Sequence, residues 1–495
     1  MQESDASFKI VENSSEFPLF RNDHEAYFLR RLNRFKVEVS ESPLLEKADG
    51  VGTSAKVKGM QDRTPQKAFP KGPYAAHCPN PGRLMELLFL GTRVILEKRL
   101  QSAEKENQGV LKTRSTRNPK TDWTLVAVYP LGYATNYVVP LYASRLNRLA
   151  ETLILPRLFP GARTVRREVR WGNSQFDFFV EDMEGKGHFI EVKGCTLVAY
   201  GTAMFPDAPS SRAVRHLQEL EEATHEGFGA HVIFVVSHGP AERFIPNLHT
   251  DPAFAASLSR VGSRVRIHTF QIAADSGGRA WIEREGIPAD LSHGKLAEED
   301  RGSYLVALWL SERRVLDVGA LGRIDFLPGW YLYAGSAQRG LAARMARHLR
   351  IGSKGTKKIL PPLEQLPSGQ HARGKGQKRL HWHLDYLSTV ASFARAYPIA
   401  SYRNLECELA RGLAEIDGVP VEGFGSTDCG CRSHLYWFSP KETFPTLPPS
   451  ERALRAEGIE VGESGRALLS ESTPERDPRF VDLLLRFRHI EAFRR

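Results

Sequence analysis

Two acidic residues and a lysine lie close together in one short segment of this chain, in an order suited to metal-dependent hydrolysis. Residues 176–180 read Phe-Asp-Phe-Phe-Val, and residues 188–193 read His-Phe-Ile-Glu-Val-Lys after a short polar turn. The pattern predicts a β-hairpin with its turn centred near Glu184. Cross-strand pairing would then place Asp177 opposite Glu191.

Two carboxylates paired in this way would repel each other. Their Cβ atoms would lie about 5 Å apart, at a cost on the order of 4 kcal/mol for a surface-like dielectric. A divalent cation, Mg²⁺ or Mn²⁺, held by Asp177 and Glu191 would remove that cost. Lys193 would share the strand face of Glu191, where it could hold an anionic substrate oxygen or orient water. This is the layout of a metal-dependent phosphodiesterase.

The same hairpin also allows a purely structural interpretation. Phe176, Phe178 and Val180 of the first strand would then join Ile190 and Val192 in one buried face. The polar residues between them would be ordinary solvated side chains. Because short motifs also match by chance, the surrounding sequence has to decide between the two interpretations.

Length, composition and charge limit the class of protein. A chain of 495 residues predicts about three domains, and 41% hydrophobic with 25% charged residues is typical of a globular protein. We expect a cytoplasmic protein with no membrane partner, because no apolar run is long enough to span a bilayer and no signal peptide is evident. Five cysteines argue against a disulfide framework. The net charge of +10 mildly favours a polyanionic partner.

The elements that must position these residues fall into three units. Short strands separated by long polar segments predict a small barrel, strands alternating with helices predict an α/β domain with a mixed sheet, and a third α+β unit follows a polar linker. The predicted bounds are an N-terminal tail (1–21), the barrel (22–130) with a flexible insertion (41–73), the α/β domain (131–285), the linker (286–300), the third unit (301–438) with a basic loop (350–379), and a C-terminal tail (439–495).

Several motifs in a fixed order resemble the sugar fermentation stimulation protein family over residues 22–285. They are His77-Cys-Pro-Asn-Pro-Gly-Arg83, Ser174-Gln-Phe-Asp-Phe178, Glu191-Val-Lys-Gly-Cys-Thr-Leu197, Phe205-Pro-Asp-Ala208 and Arg215-His-Leu217. The resemblance implies an N-terminal OB-like β-barrel joined to a PD-(D/E)XK nuclease-like domain that binds DNA. It implies that Asp177, Glu191 and Lys193 are the core positions of a nuclease site, which Glu151 on the preceding helix completes.

The chain departs from the family pattern next to the acidic pair. Ser-Gln-Phe-Asp replaces the usual Ser-Arg-Phe-Asp, which removes one guanidinium fork for phosphate but leaves the acidic pair intact. Other cations could contact phosphate, or could simply form solvated surface. The predicted nucleic-acid contacts in these two units are Arg30, Arg34, Arg83, Arg212, Arg215 and His216.

A second series of motifs resembles the GIY-YIG nuclease core over residues 301–438. The series includes Gly302-Ser-Tyr304, Tyr331-Leu-Tyr-Ala-Gly-Ser-Ala337, Glu406-Cys-Glu-Leu-Ala410 and Gly423-Phe-Gly-Ser-Thr-Asp-Cys-Gly-Cys-Arg-Ser-His434. The resemblance implies that Tyr304 and Tyr333 orient water or act as base, with a metal and a cation lowering the tyrosine pKa. The spacer between the two tyrosine motifs is long enough for an extra hairpin.

The charged residues of this unit have roles that the same resemblance implies. Arg344 would neutralise charge on the scissile phosphate, and Arg347 and His348 would contact nucleic acid. Either Glu406 or Glu408 would carry a single Mg²⁺, and the sequence does not choose between them. Because they lie two residues apart, a helix would aim them at different faces. Tyrosines in strands are, however, usually amphipathic core residues.

Cys429, Cys431 and His434 are also candidates for a zinc site. C-x-C followed so closely by His is not the usual ligand spacing, and no distant second half is obvious in the sequence. We therefore expect structural turn chemistry around Gly430.

The hypothesis that the sequence favours is a DNA-binding, Mg²⁺-dependent nuclease. The alternative is a DNA-binding regulator of sugar metabolism whose nuclease folds no longer cut. A third option leaves the chemistry to the α/β domain and makes the last unit an interaction module. Assembly into a homo-oligomer is compatible with any of these.

Overall fold

A computed structural model describes most of the chain. The described residues are 16–41, 73–99, 121–134, 136–349, 382–439 and 473–489. Most of the predicted insertion at 41–73 and all of the predicted basic loop at 350–379 therefore lie outside the described residues.

Five strands near the N-terminus close into a barrel. In chain order the first strands are β1 (Phe17–Pro18), β2 (His24–Asn33), β3 (Lys36–Ser40), β4 (Tyr74–His77), β5 (Arg93–Lys98), β6 (Trp123–Val128) and β7 (Val139–Pro140). The sheet order β4-β3-β2-β5-β6 closes because β4 also pairs with β6. Alternate residues such as Phe28, Val37 and Val39 are buried inside it. The predicted OB-like barrel is confirmed.

A seven-stranded mixed sheet follows the barrel. Its strands and those of a small neighbouring sheet are β8 (Thr164–Trp171), β9 (Ser174–Glu181), β10 (Gly187–Cys195), β11 (Val198–Ala199), β12 (Thr202–Phe205), β13 (Gly229–Val236), β14 (Arg243–Pro246), β15 (Arg266–Ala274) and β16 (Arg279–Glu285). The order is β1-β16-β15-β13-β10-β9-β8, and only the pairs β10–β13 and β13–β15 are parallel. Strand β1, from the predicted N-terminal tail, therefore belongs to the edge of this sheet.

Helices cover both faces of the mixed sheet, as the α/β prediction requires. They are α1 (Ala143–Leu149), a π-helical turn (Ala150–Ile154), α2 (Leu155–Leu158), α3 (Ser211–His225), α4 (Pro252–Val261) and α5 (Gly294–Glu298). Leu146, Leu149 and Leu153 pack with Ile190 on one side, as their helical spacing predicts. Helices α3 and α4 pack on the other side, and Ser210 caps α3 by accepting from the Ala213 amide at 3.2 Å.

The third unit is an α+β domain built on an antiparallel sheet. Its elements are β17 (Gly302–Leu310), β18 (Arg314–Asp317), β19 (Arg323–Phe326), β20 (Gly329–Ala337), α6 (Leu341–His348), α7 (His383–Val390), β21 (Phe393–Ala400), α8 (Glu406–Glu415), β22 (Val419–Pro420), β23 (Leu435–Phe438) and α9 (Pro478–His489). The sheet order is β21-β17-β20-β23-β22, and β18 pairs with β19 as the extra hairpin between the tyrosine motifs.

One hydrophobic core joins the units. Helix α9, which lies in the predicted C-terminal tail, packs Phe480 and Leu484 against Leu409 of α8 and Tyr397 of β21. The same core includes Met204 of the α/β domain. Among the described residues, no helix combines the length and the apolar character needed to span a membrane.

Candidate active sites

The hairpin of β9 and β10 has the register that the sequence predicts. Phe179 lies opposite Phe189, and the ladder runs as far as Ile190 opposite Phe178. The ladder ends at that pair, one residue short of Asp177 and Glu191. The turn spans residues 182–186, centred on Glu184 as predicted.

The purely structural interpretation of this hairpin is wrong in two respects. Phe178 packs with Ile190 beside α1, whereas Phe176 packs in the other cluster, beside α3. Glu191 is not solvated, because only 4% of it is exposed. A buried carboxylate needs compensating partners, so the environment of Glu191 carries chemical information.

The carboxylate of Asp177 is fixed from two directions. Its Oδ1 accepts a hydrogen bond from Asn147 Nδ2 on α1 at 2.6 Å. Its Oδ2 accepts one from the backbone amide of Val192, between Glu191 and Lys193, at 2.7 Å. Burial and then the charge of Glu191 raise the pKa of Asp177 to about 6. The negative charge of Glu191 is therefore one reason why the carboxyl of Asp177 is harder to ionise than usual.

Glu191 sits among cations on the side of the sheet that faces α3. Its Oε1 lies 2.5 Å from Lys193 Nζ and 2.7 Å from His216 Nδ1. Burial raises the pKa of Glu191, but Lys193 and His216 outweigh it, so the pKa lies below its usual value. Glu191 Oε2 is buried and has no hydrogen-bond partner among the described residues.

That unsatisfied oxygen leaves one carboxylate ligand position open, so the residues present are compatible with a divalent cation. Buried polar atoms almost always have a partner, and an unpaired one calls for an explanation such as a missing ion. Mg²⁺ and Mn²⁺ take carboxylate oxygens as ligands. Asp177 and Glu191 are the residues that would hold the ion, with Lys193 next to them.

Asn147 of α1 and Glu151 of the π-helical turn lie four residues apart. Glu151 forms an ion pair with Arg167 of β8, at 2.7 Å between Oε1 and Nε. Asn147 was not predicted from the sequence, although it binds Asp177 directly. Its i, i+4 relation to Glu151 was the one available signal, since these two positions share a helix face.

The predicted phosphate contacts of α3 have different positions. Arg212 and Arg215 are exposed. His216 is only 1% exposed, and its Nε2 accepts a hydrogen bond from Arg212 Nε at 3.2 Å. The predicted phosphate contact by His216 is therefore wrong, because the ring is buried against Glu191.

In the barrel, Arg30 forms a 2.5 Å ion pair with Glu38. Arg34 and Arg83 are exposed. Arg34 lies over the ring of Phe35 at 5.7 Å, and Phe35 itself is 49% exposed. The barrel thus presents a cation and an aromatic ring together at its surface.

The third unit brings its two predicted tyrosines to neighbouring strands. Tyr304 of β17 lies opposite Gly335 of β20, where a Cβ would approach the Tyr304 hydroxyl within 2.6 Å. The Tyr304 hydroxyl lies 3.0 Å from His348 Nε2. Burial raises the pKa of both Tyr304 and Tyr333, and Arg344 offsets only part of this rise. The expected lowering of the tyrosine pKa, which requires a metal ion as well as a cation, stays a prediction.

The cations of this unit are engaged with protein groups. His348 is 2% exposed, so the predicted phosphate contact by His348 is wrong. Arg347 donates to Asp385 at 2.6 Å, and Arg344 lies 4.8 Å from the ring centroid of Trp382.

The two glutamates of α8 face different neighbours, as the helical spacing predicts. Glu406 accepts a hydrogen bond from Ser336 of β20 at 2.8 Å, and its other oxygen lies 3.0 Å from His434 Nδ1. Glu408 pairs instead with Arg403 at 2.7 Å. Glu406 is therefore the glutamate that points towards the tyrosine strands.

A cysteine cluster lies on the other side of His434. Cys407, Cys429, Cys431 and His434 come together, with their ligand atoms all within 4.8 Å of one another. The expectation that no distant second half exists is wrong, since Cys407 on α8 supplies it. The sequence could not show this pairing because it depends on where α8 packs.

Three family models match the chain in succession. They are described as the SfsA N-terminal OB domain (29–134), the sugar fermentation stimulation protein RE domain (144–278) and a domain of unknown function, DUF123 (303–450). They agree with the order barrel, mixed sheet and α+β unit.

Curated relatives match about half of the chain. A sugar fermentation stimulation protein homolog of Pyrobaculum neutrophilum is 32% identical over 276 residues, which are 55% of this chain and 97% of the relative. A homolog from Methanothermobacter thermautotrophicus is 36% identical over 201 residues, 40% of this chain and 77% of the relative. The solved structure of Pyrococcus furiosus SfsA in complex with Ca²⁺ matches with 24% identity and a TM-score of 0.40, over 57% of this chain and all of that one.

Proposed function

Because the chain belongs to the sugar fermentation stimulation protein family, we propose that it is a DNA-binding nuclease that hydrolyses phosphodiester bonds with Mg²⁺ or Mn²⁺. The observation that carries the proposal is the unsatisfied Glu191 Oε2, buried beside Asp177 and Lys193. A divalent cation held by Asp177 and Glu191 would give this oxygen a partner.

Each residue of the α/β site has a task in this proposal. A bound divalent cation supplies Lewis-acid stabilisation of the phosphate and a more acidic water. Asp177 and Glu191 hold it, while Asn147 and His216 orient them. An ammonium group has three donors, so Lys193 keeps donors for an anionic phosphate oxygen after bonding Glu191.

In this proposal the barrel provides the surface that binds nucleic acid. Exposed aromatic rings stack on bases, and nearby arginines add electrostatic attraction to the backbone. Phe35 and Arg34 form such a pair on the barrel surface. Since stacking needs unpaired bases, we expect a preference for single-stranded segments.

The third unit contains a second candidate hydrolytic centre, formed by Tyr304, Tyr333, Arg344 and Glu406. In a low-dielectric site, neutral tyrosine hydroxyls can donate to or position a reacting oxygen. Glu406 would carry its metal ion, held in orientation by Ser336 and His434.

A cleavage assay on the full-length protein tests the proposal. Labelled single-stranded, duplex and branched DNA, and RNA, are incubated with Mg²⁺ or Mn²⁺. Asp177→Asn tests the α/β site, with Glu181→Gln at the far end of the same strand as its control. Glu406→Gln tests the third unit, with Glu408→Gln as its control, because Glu408 faces Arg403.

We expect cleavage by the wild type and by both controls, and its loss in Asp177→Asn. Loss in Glu406→Gln alone would move the chemistry to the third unit. Tight binding of DNA without cleavage under either metal would contradict the nuclease proposal and favour a non-catalytic regulator.

A further inference from the structure

We propose that Cys407, Cys429, Cys431 and His434 bind one structural Zn²⁺ ion in the third unit. Three thiolates and one imidazole are a common ligand set for structural zinc. All four ligand atoms already lie within 4.8 Å of one another. This inference does not depend on the proposed nuclease function.

The distances within the cluster match a tetrahedral site. With zinc–sulfur bonds of about 2.3 Å and zinc–nitrogen bonds of about 2.0 Å, a sulfur and a nitrogen ligand lie about 3.6 Å apart. His434 Nε2 lies 3.4 Å from Cys429 Sγ and 3.8 Å from Cys407 Sγ. An ion could therefore enter with little movement of the backbone.

The second nitrogen of His434 has the partner that zinc ligands usually have. A metal-bound histidine commonly donates its other ring N–H to a carboxylate, which fixes the tautomer. His434 Nδ1 lies 3.0 Å from Glu406 Oε1, and the ring is 2% exposed. A proton on Nδ1 leaves the Nε2 lone pair directed at the thiols.

The ion would fasten a loop to a helix. Cys407 lies in the first turn of α8, whereas Cys429 and Cys431 belong to the loop between β22 and β23, and His434 directly precedes β23. That loop has little regular structure between its ends, with a bond from the Gly423 amide to the Arg432 carbonyl at 2.8 Å. A cross-link from the loop to α8 would hold it in place.

A nearby arginine balances the negative charge that the zinc-bound cluster would carry. Three thiolates and one Zn²⁺ carry a net charge of −1. Arg411, one turn after Cys407 on α8, donates to the Cys407 carbonyl at 3.5 Å. Its guanidinium therefore lies beside the cluster, where a positive charge favours thiolates.

One consequence does rest on the proposed function. If Glu406 carries the metal ion of the second hydrolytic centre, then zinc on one side of His434 would set the orientation of Glu406 on the other. His434 would then be a positioning residue that couples the two sites.

Metal analysis of the full-length protein tests the zinc site. The protein is produced with added zinc, purified without chelator and measured by inductively coupled plasma mass spectrometry. We expect about one zinc per chain in the wild type. We expect its loss in Cys429→Ser/Cys431→Ser and its retention in Cys78→Ala, which removes a buried cysteine of the barrel. Glu406→Gln should also retain zinc, because Glu406 is not a ligand.

A second readout covers the case in which the double variant fails to fold. The wild-type protein is stripped of metal under reducing conditions and titrated with Co²⁺, and the near-ultraviolet thiolate-to-cobalt absorption is followed. We expect this band in the wild type and its weakening in Cys407→Ser. Wild-type protein without zinc and without the cobalt band would overturn the proposal. So would zinc retained by a folded Cys429→Ser/Cys431→Ser variant, or an intact mass showing a disulfide in the isolated wild type. None of these outcomes depends on whether the protein cleaves DNA.

Discussion

At the level of single residues, metal binding depends on how the carboxylates of Asp177 and Glu191 are oriented. Each carboxylate is fixed by a neighbour that is not itself acidic, Asn147 for one and His216 for the other. Such orienting groups commonly change metal affinity or activity by ten- to a hundredfold when they are removed. Substituting Asn147 or His216 therefore tests the site without removing a proposed metal ligand.

Asn147→Ala removes the donor to Asp177 Oδ1 and leaves only the Val192 amide to hold that carboxylate. We expect the cleavage rate to fall by about tenfold or more. The loss should be larger at subsaturating Mn²⁺ than at saturating Mn²⁺. The measurement is the initial cleavage rate across a Mn²⁺ titration. Asn173→Ala, the same change on an exposed turn, is the control, and equal rates for the two variants would contradict the assigned role.

The pairing of Phe179 with Phe189 could be predicted from the sequence, because strand periodicity and turn length fix the register of a hairpin. Asn147 and Cys407 could not be found in this way. Each reaches its site because a helix packs against a distant strand or loop, and that packing depends on the tertiary fold.

At the scale of elements, the barrel is the part that is expected to meet nucleic acid. The end of β2 and the turn after it form an exposed segment that includes Leu32, Arg34 and Phe35. Only the aromatic ring can stack on a base, whereas the leucine offers apolar area alone.

Phe35→Ala should weaken binding of single-stranded DNA by about 1–3 kcal/mol, because one base loses its stacking partner. Fluorescence anisotropy with a labelled oligonucleotide at fixed salt gives the Kd. Leu32→Ala is the matched control and should change the Kd much less. Identical losses in the two variants would show that the barrel does not use Phe35 for stacking.

The sequence predicted the strands and helices more accurately than it predicted which elements pack against one another. The alternation of apolar residues predicted the barrel strands, and the long spacer predicted the extra hairpin of β18 and β19. Within the predicted C-terminal tail, the structure has helix α9 at Pro478–His489. The sequence did not show that α9 is buried in the core, because periodicity reveals an apolar face but not what covers it.

At the scale of the whole molecule, His249 joins three parts of the chain. Its Nδ1 accepts from the Ala400 amide of β21 at 3.0 Å, and its Nε2 donates to the Arg488 carbonyl of α9 at 2.7 Å. The bond from Ala400 needs an unprotonated Nδ1 and therefore the neutral ring. Burial, with the positive charge of Arg488, lowers the pKa of His249 to about 3.

Because His249 is buried in its neutral form, we predict that the free energy of unfolding depends on pH. A pKa that is lower in the folded state than in the unfolded state gives stability that is present above pH 6.5 and is lost as the pH falls towards 3. The loss should approach about 1.4 kcal/mol per pH unit between those values. Urea unfolding at pH 7.5 and 5.5 measures it, and the difference between wild type and His249→Gln isolates this residue from the other buried histidines. A wild type and variant with the same pH dependence would contradict the assignment.

Counting bound Mn²⁺ shows whether Asp177 and Glu191 together hold a divalent cation. Equilibrium binding followed by electron paramagnetic resonance gives the number of Mn²⁺ ions held by the full-length wild type, Asp177→Asn and Glu181→Gln. We predict that Asp177→Asn binds one Mn²⁺ fewer than the wild type, while Glu181→Gln binds the same number. Equal Mn²⁺ binding by wild type and a folded Asp177→Asn variant would contradict the account.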